Sequence, residues 1–216
     1  MSCLCAKSPY TITCKCKRLV RPIYEPNFTH NNLSAINIQT HYGLGVMYGI
    51  EIEVEVDDKV AVLDSFCIHD YFVVKLDITV PDGLEFVSAP MSFYCHCIQM
   101  RKLYDWFDFM NSNGQKRIWA SEKTGMHFHI QRNKVSEHNL RWLADFINGN
   151  TRNIDIFAGR KENKFCIRTN SITNTIKKYA IRITDDTIEL RIFTTFMDYD
   201  ETIQRLAIIN NIVNCP

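Results

Sequence analysis

The chain has 216 residues, 46% of them apolar and 23% charged, an ordinary globular balance with length for one substantial core. Its formal net charge of +1 gives no electrostatic footprint for nucleic acid or for an anionic membrane surface. No run approaches the roughly 20 apolar residues that span a bilayer, and the Met-Ser-Cys-Leu-Cys start lacks the basic and apolar regions of a secretory signal, so a cytoplasmic protein is expected.

Residues 1–45 differ in character from the rest of the chain. They hold Cys3, Cys5, Cys14 and Cys16, three prolines (Pro9, Pro22, Pro26) and the polar run His30-Asn31-Asn32. Such a stretch reads as loops and short strands, a cysteine-rich segment ahead of a main domain over 46–216. The total of nine cysteines is odd, which argues against a complete disulfide framework. Two Cys-x-Cys pairs joined by a short loop can close a tetrahedral thiolate site. Cys3, Cys5, Cys14 and Cys16 therefore fit a structural Zn2+, with disulfides or free thiols as the alternatives.

Beyond Gly43 the pattern becomes regular. Val46–Val56 alternates apolar and polar residues and reads as a strand. Tyr71–Val80 and Leu84–Ser88 read as two more, divided by the Pro81-Asp82-Gly83 turn signal. Cys97–Asn111 has apolar residues at helical spacing and runs into Asn113-Gly114. Cys95-His96-Cys97 fits a packed helix start, or a second metal contribution; Cys67, Cys166 and Cys215 fit core or free thiols. Met126–Arg132 is a strand, and Ser136–Asn148 a helix with Ser136 as N-cap and Gly149 as stop. Short strands are expected at Ile154–Phe157 and Lys164–Arg168, and a hairpin from Tyr179–Ile183 and Thr187–Phe193. Asp200–Asn214 closes the chain as an amphipathic helix. Strands and helices that do not repeat as βαβ units indicate an α+β fold, an antiparallel sheet with helices on one face.

Successive strand side chains point to opposite faces, so residues i and i+2 are neighbours. Ile50, Ile52, Val54 and Val56 share one face of the first strand, and Glu51, Glu53 and Glu55 the other. Glutamate is depleted in strands, and adjacent like charges repel unless a cation relieves them. The same layout recurs in Met126-His127-Phe128-His129-Ile130 and in Ile188-Glu189-Leu190-Arg191-Ile192. Asp77 and Glu85 sit on the strands that flank the Pro-Asp-Gly turn. Taken singly, these patterns fit a solvated strand face, a pair of satisfied core histidines and a surface ion pair. Together they supply carboxylate, imidazole and guanidinium, the ligands of Mg2+ or Mn2+ and of phosphate. No phosphate-binding Gly-x-x-x-x-Gly-Lys-Ser/Thr loop is present.

Five segments in this order carry a family likeness: Gly49-Ile50-Glu51-Ile52-Glu53; Asp77 followed by Gly83-Leu84-Glu85-Phe86-Val87-Ser88-Ala89-Pro90; Thr124-Gly125-Met126-His127-Phe128-His129; Phe157-Ala158-Gly159-Arg160; and Thr187-Ile188-Glu189-Leu190-Arg191-Ile192-Phe193. Over roughly residues 46–214 the chain resembles the amidoligase family of the glutamine synthetase and glutamate–cysteine ligase superfamily. Gly-Met-His-x-His and Glu-x-Arg are the most specific pieces. The resemblance implies a curved antiparallel sheet, glutamine-synthetase-like, holding ATP and two or more divalent ions. It implies ATP-dependent joining of a carboxylate to an amine through an acyl phosphate. By motif position it makes Glu51, Glu53, Glu85, His127 and Glu189 metal ligands, and Arg191 and Arg160 contacts to phosphate or developing charge. His129 is then a ligand or an orienting neighbour of the nucleotide site, and Asp77 a contact to substrate or amine. Glu55 reads as solvated.

The expected partners are small-molecule or peptide carboxylates and amines, with no nucleic acid or membrane and with oligomeric state left open. A non-catalytic binding or structural protein that keeps the fold is the main alternative. A guanidino-type phosphotransferase and a metal hydrolase built on His127 and His129 are further ones. The first calls for more arginines and a reactive cysteine; the second leaves Arg191 and Arg160 without a role.

Overall fold

The alternating run after Gly45 forms strand β1 (Met47–Val56) of a computed structural model that describes residues 45–66, 71–77, 79–80, 82–112, 117–149, 151–164, 166–169 and 179–216. The expected cysteine-rich segment with Cys3, Cys5, Cys14 and Cys16 lies outside the described residues, as does Cys67.

After β1 come α1 (Lys59–Ser65), β2 (Phe72–Asp77), β3 (Gly83–Ser88), β4 (Met91–Ser92) and α2 (Phe93–Met110). The chain continues through β5 (Ile118–Trp119), β6 (Gly125–Gln131), α3 (Glu137–Asn148), α4 (Thr151–Ala158), β7 (Ile181–Ile183), β8 (Thr187–Thr194) and α5 (Tyr199–Val213). Among the described residues the fold is thus α+β, with an open antiparallel sheet of eight strands and with five helices. The main path runs β2-β3-β1-β6-β8-β7, while β4 and β5 each pair with an end of β1.

One face of the sheet is the core. Tyr48, Ile50, Ile52, Val54 and Val56 of β1 are buried together with Phe128 and Ile130 of β6 and Ile188 and Leu190 of β8. Leu103 and Phe107 of α2, Leu140, Leu143 and Ile147 of α3, Ile154 of α4 and Leu206 and Ile209 of α5 belong to the same cluster. Burying each such side chain contributes about 1.5–3 kcal/mol. Phe86 of β3 packs against Phe66, Trp106 and Phe107 with ring centroids 5.4, 5.8 and 5.2 Å away. A one-residue slip of any strand would expose this set, so core packing fixes which residues face the other way.

Helix ends obey their sequence signals. Ser92 caps α2, its hydroxyl accepting from the Cys95 N–H at 3.3 Å, so the helix starts four residues before the expected Cys97. Ser136 caps α3 by accepting from Asn139 at 3.1 Å, and Asp198 caps α5 by accepting from Glu201 at 2.8 Å. His96 lies inside α2, buried, with Nε2 donating to the Tyr48 carbonyl at 2.9 Å. Cys95-His96-Cys97 is a packed helix start.

Two expectations fail. Ile154–Phe157, expected as a strand, lies within helix α4, because Ile154, Phe157 and Ala158 repeat at helical spacing and bury Ile154 and Ala158 while Ile156 stays exposed. Among the described residues of Lys164–Arg168 there is no strand, only an isolated bridge from Ile167 to Tyr179. A turn from the Cys166 N–H to the Asn163 carbonyl and the pairing of Arg168 with Asp155 at 2.5 Å hold this stretch instead. Helix α1 and the short strands β4 and β5 carry too little periodicity to be expected from sequence.

Candidate metal centre

The sheet face opposite the core gathers the charged residues by strand register. Glu53 of β1 stands opposite Glu85 of β3, and Glu51 opposite His127 of β6. His129 of β6 stands opposite Glu189 of β8, which stands opposite Arg182 of β7. Lys75 of β2 stands opposite Glu85 on its other side. Each apolar neighbour in the core is the reason its polar partner points outward.

These groups form a connected chain of contacts. His127 sits between two glutamates, with Nδ1 3.1 Å from Glu51 Oε2 and Nε2 3.7 Å from Glu53 Oε1. His129 Nε2 lies 3.4 Å from Glu51 Oε1. Ligand atoms of Glu51, His129 and Glu189 all fall within 4.8 Å of one another, close enough to share one ion. Arg191 donates Nη1 to Glu189 Oε1 at 2.5 Å, and Arg182 donates Nη1 to Oε2 at 3.0 Å. Lys75 Nζ is 3.6 Å from Glu85 Oε2.

Burial pushes every carboxyl here upward, and the neighbours decide the outcome. At Glu51, burial is outweighed by His129 and His127, which hold the carboxyl well below the usual range. At Glu189, burial is likewise outweighed by His129, His127 and Arg191, and the group is lowered. Glu53 stays raised, because burial and the Asp77 charge exceed the pull of His127 and the Gly125 N–H. Burial and then the Glu51 charge push Glu85 to about 8, against Lys75. His129 is raised despite burial, by Glu51 and then Glu189. The upward shifts at Glu53, Glu85 and His129 all answer the same crowding of negative charge on this face. A divalent cation would relieve that crowding and favour the ionised carboxylates. Carboxylates with one imidazole are the donors Mn2+ accepts, and Mg2+ takes the carboxylates; the residues present fit such an ion.

The outer members of the expected set are placed differently. Asp77 uses Oδ1 to accept from the backbone N–H and hydroxyl of Thr79, both at 2.7 Å, while Oδ2 is buried without a hydrogen-bond partner among the described residues. Arg160 donates Nε to the Ile192 carbonyl at 3.1 Å and Nη2 to the Arg191 carbonyl at 2.7 Å. Its head is therefore largely committed to backbone, beside Glu53 across Gly125, where an added Cβ would lie 3.3 Å from both. Glu55 is not simply solvated: it accepts from Trp119 Nε1 at 3.2 Å and from the Ser121 hydroxyl at 2.6 Å.

The backbone beneath Arg160 explains its position. Met126 pairs with Phe193 but Phe128 pairs with Leu190, so β8 carries one extra residue opposite His127. This bulge turns two successive carbonyls toward Arg160 and aims Arg191 at Glu189. In the sequence the bulge shows only as the break in alternation at Ile192-Phe193. Arg182 also escapes the motifs, although Ile181-Arg182-Ile183 alternates and the hairpin places Arg182 across from Glu189.

Next to Arg160 an open groove of about 710 Å³ is lined by Ser121, Glu122, Asn163, Lys164 and Thr194 among others. It lies at the Glu53–Glu55 end of the charged face, with Ser121 bonded to Glu55. Among the described residues, no helix is long and apolar enough to cross a membrane. Compared with protein-family models and with curated proteins, the chain matches none.

Proposed function

We propose that the chain is a divalent-metal-dependent ligase that uses ATP to join a carboxylate to an amine, on a glutamine-synthetase-like sheet. The observation that carries this reading is the convergence of Glu51, His129 and Glu189 within 4.8 Å, with the Arg191 guanidinium bonded to Glu189 at the same spot. Metal ligands beside a guanidinium, on one rigid sheet face, suit a polyphosphate held by both.

Glu51, His129 and Glu189 would hold one ion, and Glu53 and Glu85, with His127 between Glu51 and Glu53, would supply carboxylates for a second. Bound Mg2+ or Mn2+ would neutralise the phosphate charge that otherwise repels an incoming carboxylate. Arg191 offers a planar fork to phosphoryl oxygens. Arg160 keeps the β8 bulge in shape, so Arg191 and Glu189 stay aligned. The groove beside Arg160 gives the carboxylate and amine a place to lie, and ordered placement of two reactants accounts for much of the rate gain in such reactions.

The test is ADP release with Mg2+ or Mn2+ across amino acids and peptides, with hydroxylamine as the amine. Metal-dependent hydroxamate formation is expected. Metal-dependent ATP binding without hydroxamate from any carboxylate would make the chain a binding protein of the same fold. Calorimetry showing no ATP binding, or binding that ignores the metal, would overturn the proposal.

A further inference from the structure

Glu189 has more cationic partners than one carboxylate needs. Arg191, two residues along β8, holds Oε1, and Arg182, directly across on β7, holds Oε2. Two guanidiniums share a single negative charge, so one positive charge of the trio is left over. Both heads are mostly buried, with side chains 28% exposed at Arg182 and 21% at Arg191. The Nε atoms of both arginines are buried and have no hydrogen-bond partner among the described residues. A plain ion pair would need only one arginine, and it would not strand two buried N–H groups beside the other.

We infer that Arg182 and Arg191 form a two-guanidinium site for a phosphoryl group, with Glu189 as the latch that closes it when the neighbouring metal site is empty. The inference rests on the metal site proposed above. A divalent cation at Glu51, His129 and Glu189 competes with both arginines for the same carboxylate. When the cation draws Glu189 toward itself, the arginine forks lose their acceptor and turn to an anion. Arginine binds phosphate oxygens through paired N–H groups, which suits both the released forks and the unused Nε atoms. Arg182, on the last strand of the sheet path, is the member that the Glu-x-Arg pattern does not contain.

This arrangement makes metal and phosphate bind with positive coupling, and the coupling is reciprocal. It also gives Arg182 two effects of opposite sign. The residue opposes the metal, because it holds Glu189, and it favours the anion. A structural ion pair would weaken both ligands when removed, or neither.

The experiment uses the full chain, with Mn2+ affinity read by electron paramagnetic resonance and inorganic phosphate binding by calorimetry with and without Mg2+. Phosphate is expected to bind about 10-fold tighter, or more, with Mg2+ present. Arg182→Ala should weaken that binding by about 10-fold while tightening Mn2+ by about 3-fold. If Mn2+ binds the native chain but Arg182→Ala leaves phosphate affinity unchanged, the arginine site is overturned and the metal site stands. Phosphate binding that ignores Mg2+ also overturns the latch. Failure of Mn2+ to bind the native chain brings down the metal site and the latch with it. Should Arg182→Ala not fold, Arg182→Lys decides. Its ammonium still pairs with Glu189 but has no fork, so weaker phosphate binding with unchanged Mn2+ affinity supports the site, and unchanged phosphate binding overturns it.

Discussion

Arg160 Nε donates to the Ile192 carbonyl at 3.1 Å, 32 positions further along the chain. Its Nη2 donates at 2.7 Å to the carbonyl of Arg191, so one side chain satisfies both carbonyls of the β8 bulge. Arg160→Ala should destabilise the protein by about 2–4 kcal/mol, because charged hydrogen bonds are lost and partly buried carbonyls are stranded. Urea unfolding should show a lower midpoint with an unchanged slope. Arg160→Lys should recover little, since an ammonium cannot span two carbonyls as the fork does. A midpoint equal to the native one for Arg160→Ala would show that the bulge stands without its clamp.

Acid should weaken the fold through His96. Burial pushes this imidazole down to about 4 from a usual 6.5, even though Nε2 donates to the Tyr48 carbonyl. Between these values the unfolded chain binds a proton that the folded chain refuses. The His96 contribution is therefore full above about pH 6.5 and falls as pH drops toward 4, by about 3 kcal/mol in all. His96→Gln keeps a donor and should flatten this part of the curve. An identical pH dependence of unfolding free energy in His96→Gln would exclude His96 as its source.

Gly159 ends α4 with φ +70, a conformation that side chains resist. An added Cβ would lie 2.7 Å from Thr194 Cγ2 and 2.8 Å from Phe196 Cε1. Gly159→Ala should cost more than about 2 kcal/mol, the backbone strain alone accounting for about 1–2. It should also shift Thr194, which lines the groove with Gly159 and Arg160. Thermal melting of the variant measures the first effect, and a native melting temperature would refute it.

Divalent cations should stabilise the native chain. At a hundred times the dissociation constant, Mg2+ or Mn2+ adds about 2.7 kcal/mol, a rise in melting temperature of about 5–10 °C for a chain of this size. Glu51→Gln removes a charged donor from the Glu51–His129–Glu189 group and should sharply reduce the rise. Scanning calorimetry with and without metal checks both, with an equal rise in the variant as the contrary result.

Much of the charged face is legible in the sequence because strand alternation is a strict geometric code. Once Ile50, Ile52 and Val54 belong to the core, Glu51 and Glu53 have to face away. The same holds for Met126, Phe128 and Ile130 against His127 and His129. Register across strands is not legible: His129, at the edge of the metal set by motif position, reaches Glu51 and Glu189 because it stands opposite Glu189 in the ladder. The extra residue of β8 shows only as a lapse in alternation, since Ile192 and Phe193 are both apolar and both buried, and such a pair does not say which residue bulges. Ile154–Phe157 misleads because a short apolar run fits either period until flanking packing decides. Arg160 reads from its motif as a phosphate contact, whereas the bulge carbonyls that claim it form only after folding.

Strand β1 comes first among the described strands yet pairs with β3, β4, β5 and β6. A nascent chain that has emitted residues 47–92 can pair one flank of this strand. The other flank waits for Gly125–Gln131, and the last two strands of the path wait for residues 181–194. During that interval an apolar, β-prone strand presents unsatisfied amides to any neighbour, which invites chaperone capture or self-association on the ribosome. As like charges on one face of the strand, Glu51, Glu53 and Glu55 would repel a second copy of the unfinished ribbon.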